Sequence, residues 1–266
     1  MTLLNQYHAL LAALRPHHEE REAQAVARWV LEEEYDCSWT DILCDKQAKT
    51  FDEKRWDFLL ECLTAGCPPQ YALHRAEFMG RWFHVDEGCL IPRPETALLV
   101  ETAAAQTDVR TVLDVGTGSG IIAITLKTLH PEWDVTAWDF SEKALEIARK
   151  NADEMGVFVK FEQCDVLQTD EAEFDLIVSN PPYVCEKEKV DMTASVLDFE
   201  PHSALFVPDA DPLLFYRKLA GFHAPKLVVE INEKYAAETS ELFSSAGYET
   251  DIFLDEFGKE RVLLGI

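Results

Sequence analysis

The feature that most constrains the fold is a regular alternation of strand-like and helix-like segments from Val109 onward. Short apolar runs predict strands at 111–115, 134–138, 157–163, 173–179, 226–231 and 248–254. Amphipathic stretches predict helices at 119–130, 141–155, 211–221 and 233–246. This alternation is typical of an α/β fold with a doubly wound, mostly parallel sheet. A seventh strand is predicted at 261–266 with no helix before it, so we expect this last strand to be antiparallel to its neighbour.

The segment before this α/β region has a different character. Leucine and tyrosine recur at helical spacing from Leu3 to Leu14, and Ser38 and Asp52 are candidate N-caps of later helices. Two short runs, Tyr71 to Phe78 and Arg81 to Val85, predict a β-hairpin. We therefore divide the chain into a small N-terminal helical domain (1–70), a linking β-hairpin (71–92) and an α/β domain (93–266).

The charge balance limits the classes of partner. The formal net charge is -25, and residues 1–90 carry 9 Lys and Arg against 16 Asp and Glu. This argues against direct nucleic acid binding, which needs a basic surface. The negative charge either attracts a basic protein partner or serves solubility alone, and both interpretations stay open. The sequence shows no membrane-spanning apolar run, no signal peptide and no metal-type Cys or His spacing, so we expect a cytoplasmic protein with no membrane association and no metal. We also expect a monomer.

Several strand ends carry residues that suit a nucleoside-containing cofactor. The first α/β strand runs into the glycine-rich turn Gly116-Thr117-Gly118-Ser119-Gly120, where a ligand can approach the backbone closely. Asp139 ends the next strand, and a carboxylate there can accept both hydroxyls of a ribose. Asp139 is alternatively a helix N-cap, although Ser141 is the better candidate. Asp165 follows the third strand beside Val166, where an adenine ring would lie.

A fourth strand end has the sequence Asn180-Pro181-Pro182-Tyr183. Neither proline can donate an N–H, so the strand must stop there. The Asn180 side-chain oxygen and the Pro181 carbonyl are two acceptors held stiffly next to an aromatic ring, an arrangement that suits a planar NH2 group. The alternative is a simple strand-ending turn. Because strand carboxyl ends in an open α/β sheet share one edge, we expect this segment to meet the glycine-rich turn there.

These motifs together resemble class I S-adenosylmethionine-dependent methyltransferases. Three further stretches narrow the resemblance: Pro69 to Leu73 with Ala76 to Phe78, Leu90 to Thr96, and Phe199 to Pro201 with Ala204-Leu205. With the helical N-terminal domain, they make the whole chain similar to the peptide chain release factor glutamine N5-methyltransferase family. That family usually has Gly where His74 stands and Glu where Ala97 stands. Related ribosomal-protein glutamine methyltransferases usually have Arg-Ser-Pro in place of Arg93-Pro94-Glu95, which favours a release factor as substrate.

The resemblance implies a role for each motif. S-adenosyl-L-methionine would be the cofactor, and its implied contacts are Gly116, Thr117, Gly118, Ser119, Gly120, Asp139, Asp165, Val166 and Asn180. A release factor would be the protein partner, and its glutamine would be bound by Asn180, Pro181, Pro182 and Tyr183. The implied catalytic residues are Asn180, Pro181 and Tyr183. Arg93 to Thr96 would close over the site, and the helical domain would dock the protein substrate.

Two other functions compete with this interpretation. An amino-directed DNA or RNA methyltransferase shares the Asn-Pro-Pro-Tyr segment, but it must bind a polyanion and flip a base. A nucleotide-binding regulator without transferase activity is the second alternative. The third glycine of the dinucleotide fingerprint would fall on Ile121, which counts against that alternative.

Overall fold

The computed structural model describes residues 1–266, which separate into two compact units. The first unit contains residues 1–75 and 193–199, and the second contains residues 76–192 and 200–266. None of the helices combines the length and the apolar character needed to cross a bilayer.

The first unit is entirely helical and has its own core. Its helices are α1 (Leu3–Leu14), α2 (Glu20–Tyr35), α3 (Trp39–Leu43), α4 (Glu53–Thr64), α5 (Pro69–Leu73) and α9 (Ala194–Phe199). Leucines at helical spacing, such as Leu10 and Leu59, are fully buried in this core. The two predicted N-caps are confirmed, because the Ser38 hydroxyl accepts the Asp41 N–H and the Asp52 carboxylate accepts the Lys54 N–H.

The strand predicted from Tyr71 to Phe78 is wrong over its first half. Residues 69–73 form α5, because proline at the first helical position presets the backbone and Ala72 and Leu73 pack into the helical core. His74 ends this helix with a left-handed φ of 55°, and its ring stacks on Phe58 with 5.5 Å between centroids. Histidine therefore takes a backbone conformation for which glycine is the usual residue.

The predicted hairpin is present but short. In it, β1 (Ala76–Phe78) pairs antiparallel with β2 (Arg81–Phe83). The turn residues Met79 and Gly80 both have positive φ, 49° and 73°, as a two-residue hairpin turn of the favoured twist requires.

The second unit is built around the predicted seven-stranded sheet. Its strands are β3 (Thr111–Val115), β4 (Asp134–Asp139), β5 (Lys160–Gln163), β6 (Leu176–Ser179), β9 (Lys226–Glu230), β10 (Thr250–Leu254) and β11 (Glu260–Gly265). Their order in the sheet is β10-β11-β9-β6-β3-β4-β5. The last strand, β11, is antiparallel to both of its neighbours, which confirms the prediction, and it inserts between β9 and β10.

Helices cover both faces of this sheet. Alternate strand residues enter different cores: Val112 and Val228 pack with α6 (Thr96–Ala104) and α7 (Ile121–Leu129), whereas Leu113 and Leu227 pack with the opposite helices. The first face also receives α8 (Glu142–Met155), and the opposite face is covered by α10 (Leu214–Ala220) and α11 (Ala236–Ser245). The doubly wound architecture is therefore confirmed.

A long connection between β6 and α10 contains structure that the sequence pattern does not predict. Two short strands, β7 (Val184–Cys185) and β8 (Phe206–Val207), pair in parallel within it. A two-residue strand is too short to show a periodic pattern of apolar residues, so the sequence does not predict this pairing.

Candidate active site

A cavity of about 340 Å³ opens where β3, β4 and β6 end. In the sheet, β4 lies on one side of β3 and β6 lies on its other side, so the direction of strand order reverses at β3. Ligands of open α/β sheets bind at such a switch point. The cavity volume lies within the range of small-molecule sites. Its walls comprise residues 88–93, 115–119, 139–141, 164–167 and 179–182, together with Thr96, Ile121, Ile122, Ala144, Pro201, Ser203, Ala204 and Phe215.

The glycine-rich turn forms one wall and leaves room for a ligand. The Gly116 and Thr117 N–H groups both donate to the Trp138 carbonyl, which fixes the turn to the end of β4. Gly116 has a φ of 76°, and a Cβ built on it would lie 4.0 Å from the Asn180 carbonyl oxygen. A side chain at this position would therefore extend into the space between the turn and Asn180, which glycine keeps open.

Gly120 has a different role from the rest of the turn. It does not line the cavity, and a Cβ there would come within 2.8 Å of Ile124 Cδ1 and 3.1 Å of Ala148 Cβ. Glycine is required here because α7 and α8 pack closely, so Gly120 supports the wall from behind.

Asp139 lies on the cavity with both carboxylate oxygens held in place. Oδ2 accepts the Gly118 N–H and Oδ1 accepts the Ser141 N–H, each at 2.9 Å. Burial raises the pKa of this carboxyl, and the backbone N–H bonds act in the opposite direction. Each oxygen keeps a further lone pair for a ligand hydroxyl. The helix that follows is capped by Ser141, whose hydroxyl accepts the Ala144 N–H.

The adjacent wall suits an aromatic ring. Asp165 is exposed and Val166 is buried, and both line the cavity. Phe140 also lines it with 55% of its surface exposed, although it is absent from the residues predicted to form the site. Its position directly after Asp139 is the sequence feature that indicates it.

Asn180 belongs to a buried hydrogen-bond network. Its Nδ2 donates to Thr96 Oγ1 at 3.2 Å, and Thr96 Oγ1 donates to Glu230 Oε2 at 2.8 Å. The other carboxylate oxygen of Glu230 accepts the Tyr183 hydroxyl, also at 2.8 Å. Asn232 Nδ2 donates to the Tyr183 carbonyl at 3.2 Å. Burial raises the pKa of both Glu230 and Tyr183.

The structure brings most of the predicted site residues to this one cavity. Asn180, Pro181 and Pro182 line it opposite the glycine-rich turn. Tyr183 does not, because its ring packs against a hydrophobic core and its hydroxyl points to Glu230. Glu230 is absent from the predicted site residues, although an acidic residue that ends an apolar strand could have indicated it.

The segment from Gly88 to Arg93 covers part of the cavity and is held by a buried acid. Arg93 Nη2 donates to Glu200 Oε1 at 2.6 Å, and the Ile91 N–H donates to Glu200 Oε2 at 3.3 Å. The Glu200 side chain is only 1% exposed, whereas that of Arg93 is 33% exposed. Two of the stretches that carry the resemblance therefore meet in one ion pair.

Comparison with known proteins identifies the family of the chain. A family model described as Methyltransferase small domain matches residues 93–200. The release factor glutamine methyltransferase of Bacteroides thetaiotaomicron is 48% identical over 207 residues, covering 74% of this chain and 74% of that protein. The protein of the same name from Flavobacterium psychrophilum is 36% identical over an alignment of 280 positions, covering 99% of this chain and 98% of that protein. The chain therefore belongs to the release factor glutamine methyltransferase family.

Proposed function

We propose that this protein transfers a methyl group from S-adenosyl-L-methionine to the side-chain amide nitrogen (N5) of a glutamine in a peptide chain release factor. The glutamine would be that of the Gly-Gly-Gln motif, as the family resemblance implies. One observation carries the proposal: a single cavity joins the glycine-rich turn and Asp139 to the acceptors of Asn180 and Pro181. A cofactor and a planar amide can therefore be held against each other there.

The cavity residues fit the cofactor. The gap that Gly116 keeps open suits the methionine part, and Asp139 offers two fixed oxygens to the ribose hydroxyls. Thr117, Gly118 and Ser119 continue the same wall. Phe140, Asp165 and Val166 would surround the adenine. When bound, the cofactor supplies an electrophilic methyl group.

The substrate amide needs orientation more than activation by a base. Its nitrogen is a weak nucleophile, because the lone pair is shared with the carbonyl. Asn180 Oδ1 and the Pro181 carbonyl would each accept one N–H, which fixes the plane of the NH2 group and directs its nitrogen. Positive charge grows on that nitrogen during transfer, so both hydrogen bonds strengthen in the transition state, and water takes up the surplus proton afterwards. Tyr183 would act through Glu230 and not by contact with the amide.

The helical unit would position the protein substrate. Every residue that lines the cavity belongs to the second unit, so the first contributes no wall to it. Residues 1–75 nevertheless have a complete core of their own. A folded unit outside the chemical site is suited to binding a macromolecular partner.

The experiment that tests the proposal offers the protein several substrates with labelled S-adenosyl-L-methionine. A release factor, a ribosomal protein with a candidate glutamine, and DNA and RNA are compared, and mass spectrometry locates the methyl group. We expect the label on the Gly-Gly-Gln glutamine of the release factor. Transfer to the ribosomal protein or to nucleic acid, with none to the release factor, would overturn the assignment.

A further inference from the structure

The direction of each hydrogen bond in the network around Asn180 follows from the chemistry of its members. Thr96 has one hydroxyl hydrogen, and it is directed to Glu230 Oε2 at 2.8 Å. Thr96 Oγ1 can therefore only accept from Asn180, so the Asn180 amide must present its NH2 side to Thr96. The Asn180 oxygen is then left for the cavity. With the amide reversed, two acceptors would face each other at 3.2 Å.

We propose that Thr96 and Glu230 are positioning residues that set the amide orientation of Asn180 so that its oxygen, and not its NH2 group, faces the substrate. This inference rests on the proposed function, in which Asn180 must be an acceptor. Without Thr96, the two orientations of the amide would compete, and the reversed one would set an NH2 group against the NH2 group of the substrate.

Glu230 suits this role in its ionised form, which only accepts hydrogen bonds; burial opposes that form, whereas the two hydroxyl donors and the charge of Arg261 favour it. It lies at the end of β9, is 1% exposed, and receives the hydroxyls of Thr96 and Tyr183 on separate oxygens. Burying a carboxylate is unfavourable unless it is hydrogen-bonded or paired, so these donors are a requirement of the site. Tyr183 in turn is held by Asn232, which donates to its carbonyl.

The test compares Thr96→Val, which removes the hydroxyl at nearly constant volume, with Thr96→Ser, which keeps it. Thr102→Val is the matched control, because Thr102 lies buried in the same helix and its hydroxyl donates only to the Leu98 carbonyl. The rate of a single turnover is measured on the release factor at saturating cofactor and substrate, and cofactor affinity is measured separately.

We expect Thr96→Val to slow transfer by roughly three- to tenfold, the value of one net hydrogen bond, with cofactor affinity unchanged. Thr96→Ser should recover most of that loss, and Thr102→Val should match the native protein. An unaltered rate in Thr96→Val would overturn the inference. Equal losses in Thr96→Val and Thr96→Ser would also overturn it, because the methyl group and not the hydroxyl would then matter.

A second measurement does not depend on the proposed function. With isotope-labelled asparagine, the side-chain amide of Asn180 is identified in an NMR spectrum as the signal missing from Asn180→Ala. We expect its NH2 hydrogens to exchange with water faster in Thr96→Val than in the native protein and in Thr102→Val. Identical exchange in all three proteins would refute the orientation, whatever substrate the enzyme methylates. Absence of release factor methylation by the native protein would refute only the proposed function.

Discussion

Asn180 is the residue on which the proposed chemistry depends most. Asn180→Ala removes the side-chain acceptor, and we expect the single-turnover rate to fall by about 10²–10³, by analogy with the loss of one oxyanion-hole donor. Asn180→Asp should retain more activity than Asn180→Ala, because an acceptor oxygen remains, although its charge disturbs the network with Thr96. Cofactor binding is measured in parallel. A fully active Asn180→Ala protein would reduce Asn180 to a turn residue.

The burial of Asp114 leads to a prediction about how the stability of the fold depends on pH. Its Oδ2 accepts the Thr117 hydroxyl and the Ala123 N–H, whereas its buried Oδ1 has no partner. Burial outweighs these bonds and raises the pKa of Asp114 to about 7, above the value of about 4 for an unfolded chain. The folded state therefore binds more protons between these values, so the contribution of Asp114 to stability falls as pH rises from about 4 to about 7.

Urea unfolding of the native protein and of Asp114→Asn measures this effect. Asparagine keeps an acceptor for Thr117 and Ala123 but does not ionise. The difference in unfolding free energy, native minus variant, should fall by about 1.4 kcal/mol per pH unit across that window, and by less near its ends. A difference that stays constant between pH 4 and pH 7 would show that Asp114 does not titrate there.

Site residues could be predicted from the sequence where they lie at the end of a predicted strand or directly after it. Gly116, Asp139 and Asn180 each come directly after or at the end of an apolar run, and a parallel sheet brings such positions together. The partners of Asn180 were harder to predict, because Thr96 and Glu230 lie 84 residues before and 50 residues after it. The contact of Tyr183 with Glu230 depends on side-chain packing, which the local pattern does not contain.

At the level of elements, long periodic segments were predicted well, whereas some short ones were missed or misassigned. Six strands of the main sheet were expected from their alternation with helices, and the seventh from its own apolar run at the end of the chain. Three of the five residues of α5, Tyr71 to Leu73, were misassigned to a strand, because a single helical turn shows no period. The placement of β11 between β9 and β10 follows from pairing across the sheet and was not predictable from its own sequence.

The segment 88–93 lines the cavity and is held by the ion pair between Arg93 and Glu200. Glu200→Gln removes the charge that holds Arg93 while keeping the size of the side chain. Because Arg93 is one third exposed, we expect a loss near the lower end of the range for charged hydrogen bonds, about 1.5 kcal/mol or roughly tenfold in cofactor affinity. Calorimetric titration with S-adenosyl-L-methionine measures this loss.

The matched control for that ion pair is Glu142→Gln. Arg149 and Glu142 form an equally short ion pair, 2.6 Å, but both side chains are more than 40% exposed. An exposed pair contributes little, so cofactor affinity should not change. Equal effects of Glu142→Gln and Glu200→Gln would mean that the segment is not held by Arg93 and Glu200.

At the level of the whole molecule, the proposed function assigns the chemistry to the second unit and the docking of the protein substrate to the first. A chain that lacks residues 1–75 should bind S-adenosyl-L-methionine with unchanged affinity, because no cavity residue is removed. We expect it to methylate a short Gly-Gly-Gln peptide as fast as the full chain does. Its kcat/KM on intact release factor should be lower than that of the full chain. Circular dichroism confirms that the truncated chain is folded. Equal kcat/KM of both chains on intact release factor would exclude a docking role for the helical unit.

The measurement that tests the central claim most directly locates the methyl group in a release factor after reaction with the native enzyme. Tandem mass spectrometry is performed on the native substrate and on one in which the Gly-Gly-Gln glutamine is replaced by glutamate, which has no NH2 group for Asn180 and Pro181 to orient. We predict methylation of the glutamine side-chain nitrogen in the native substrate and none in the glutamate substrate. A methyl group on any other atom of the native substrate, or equal transfer to both substrates, would contradict the account.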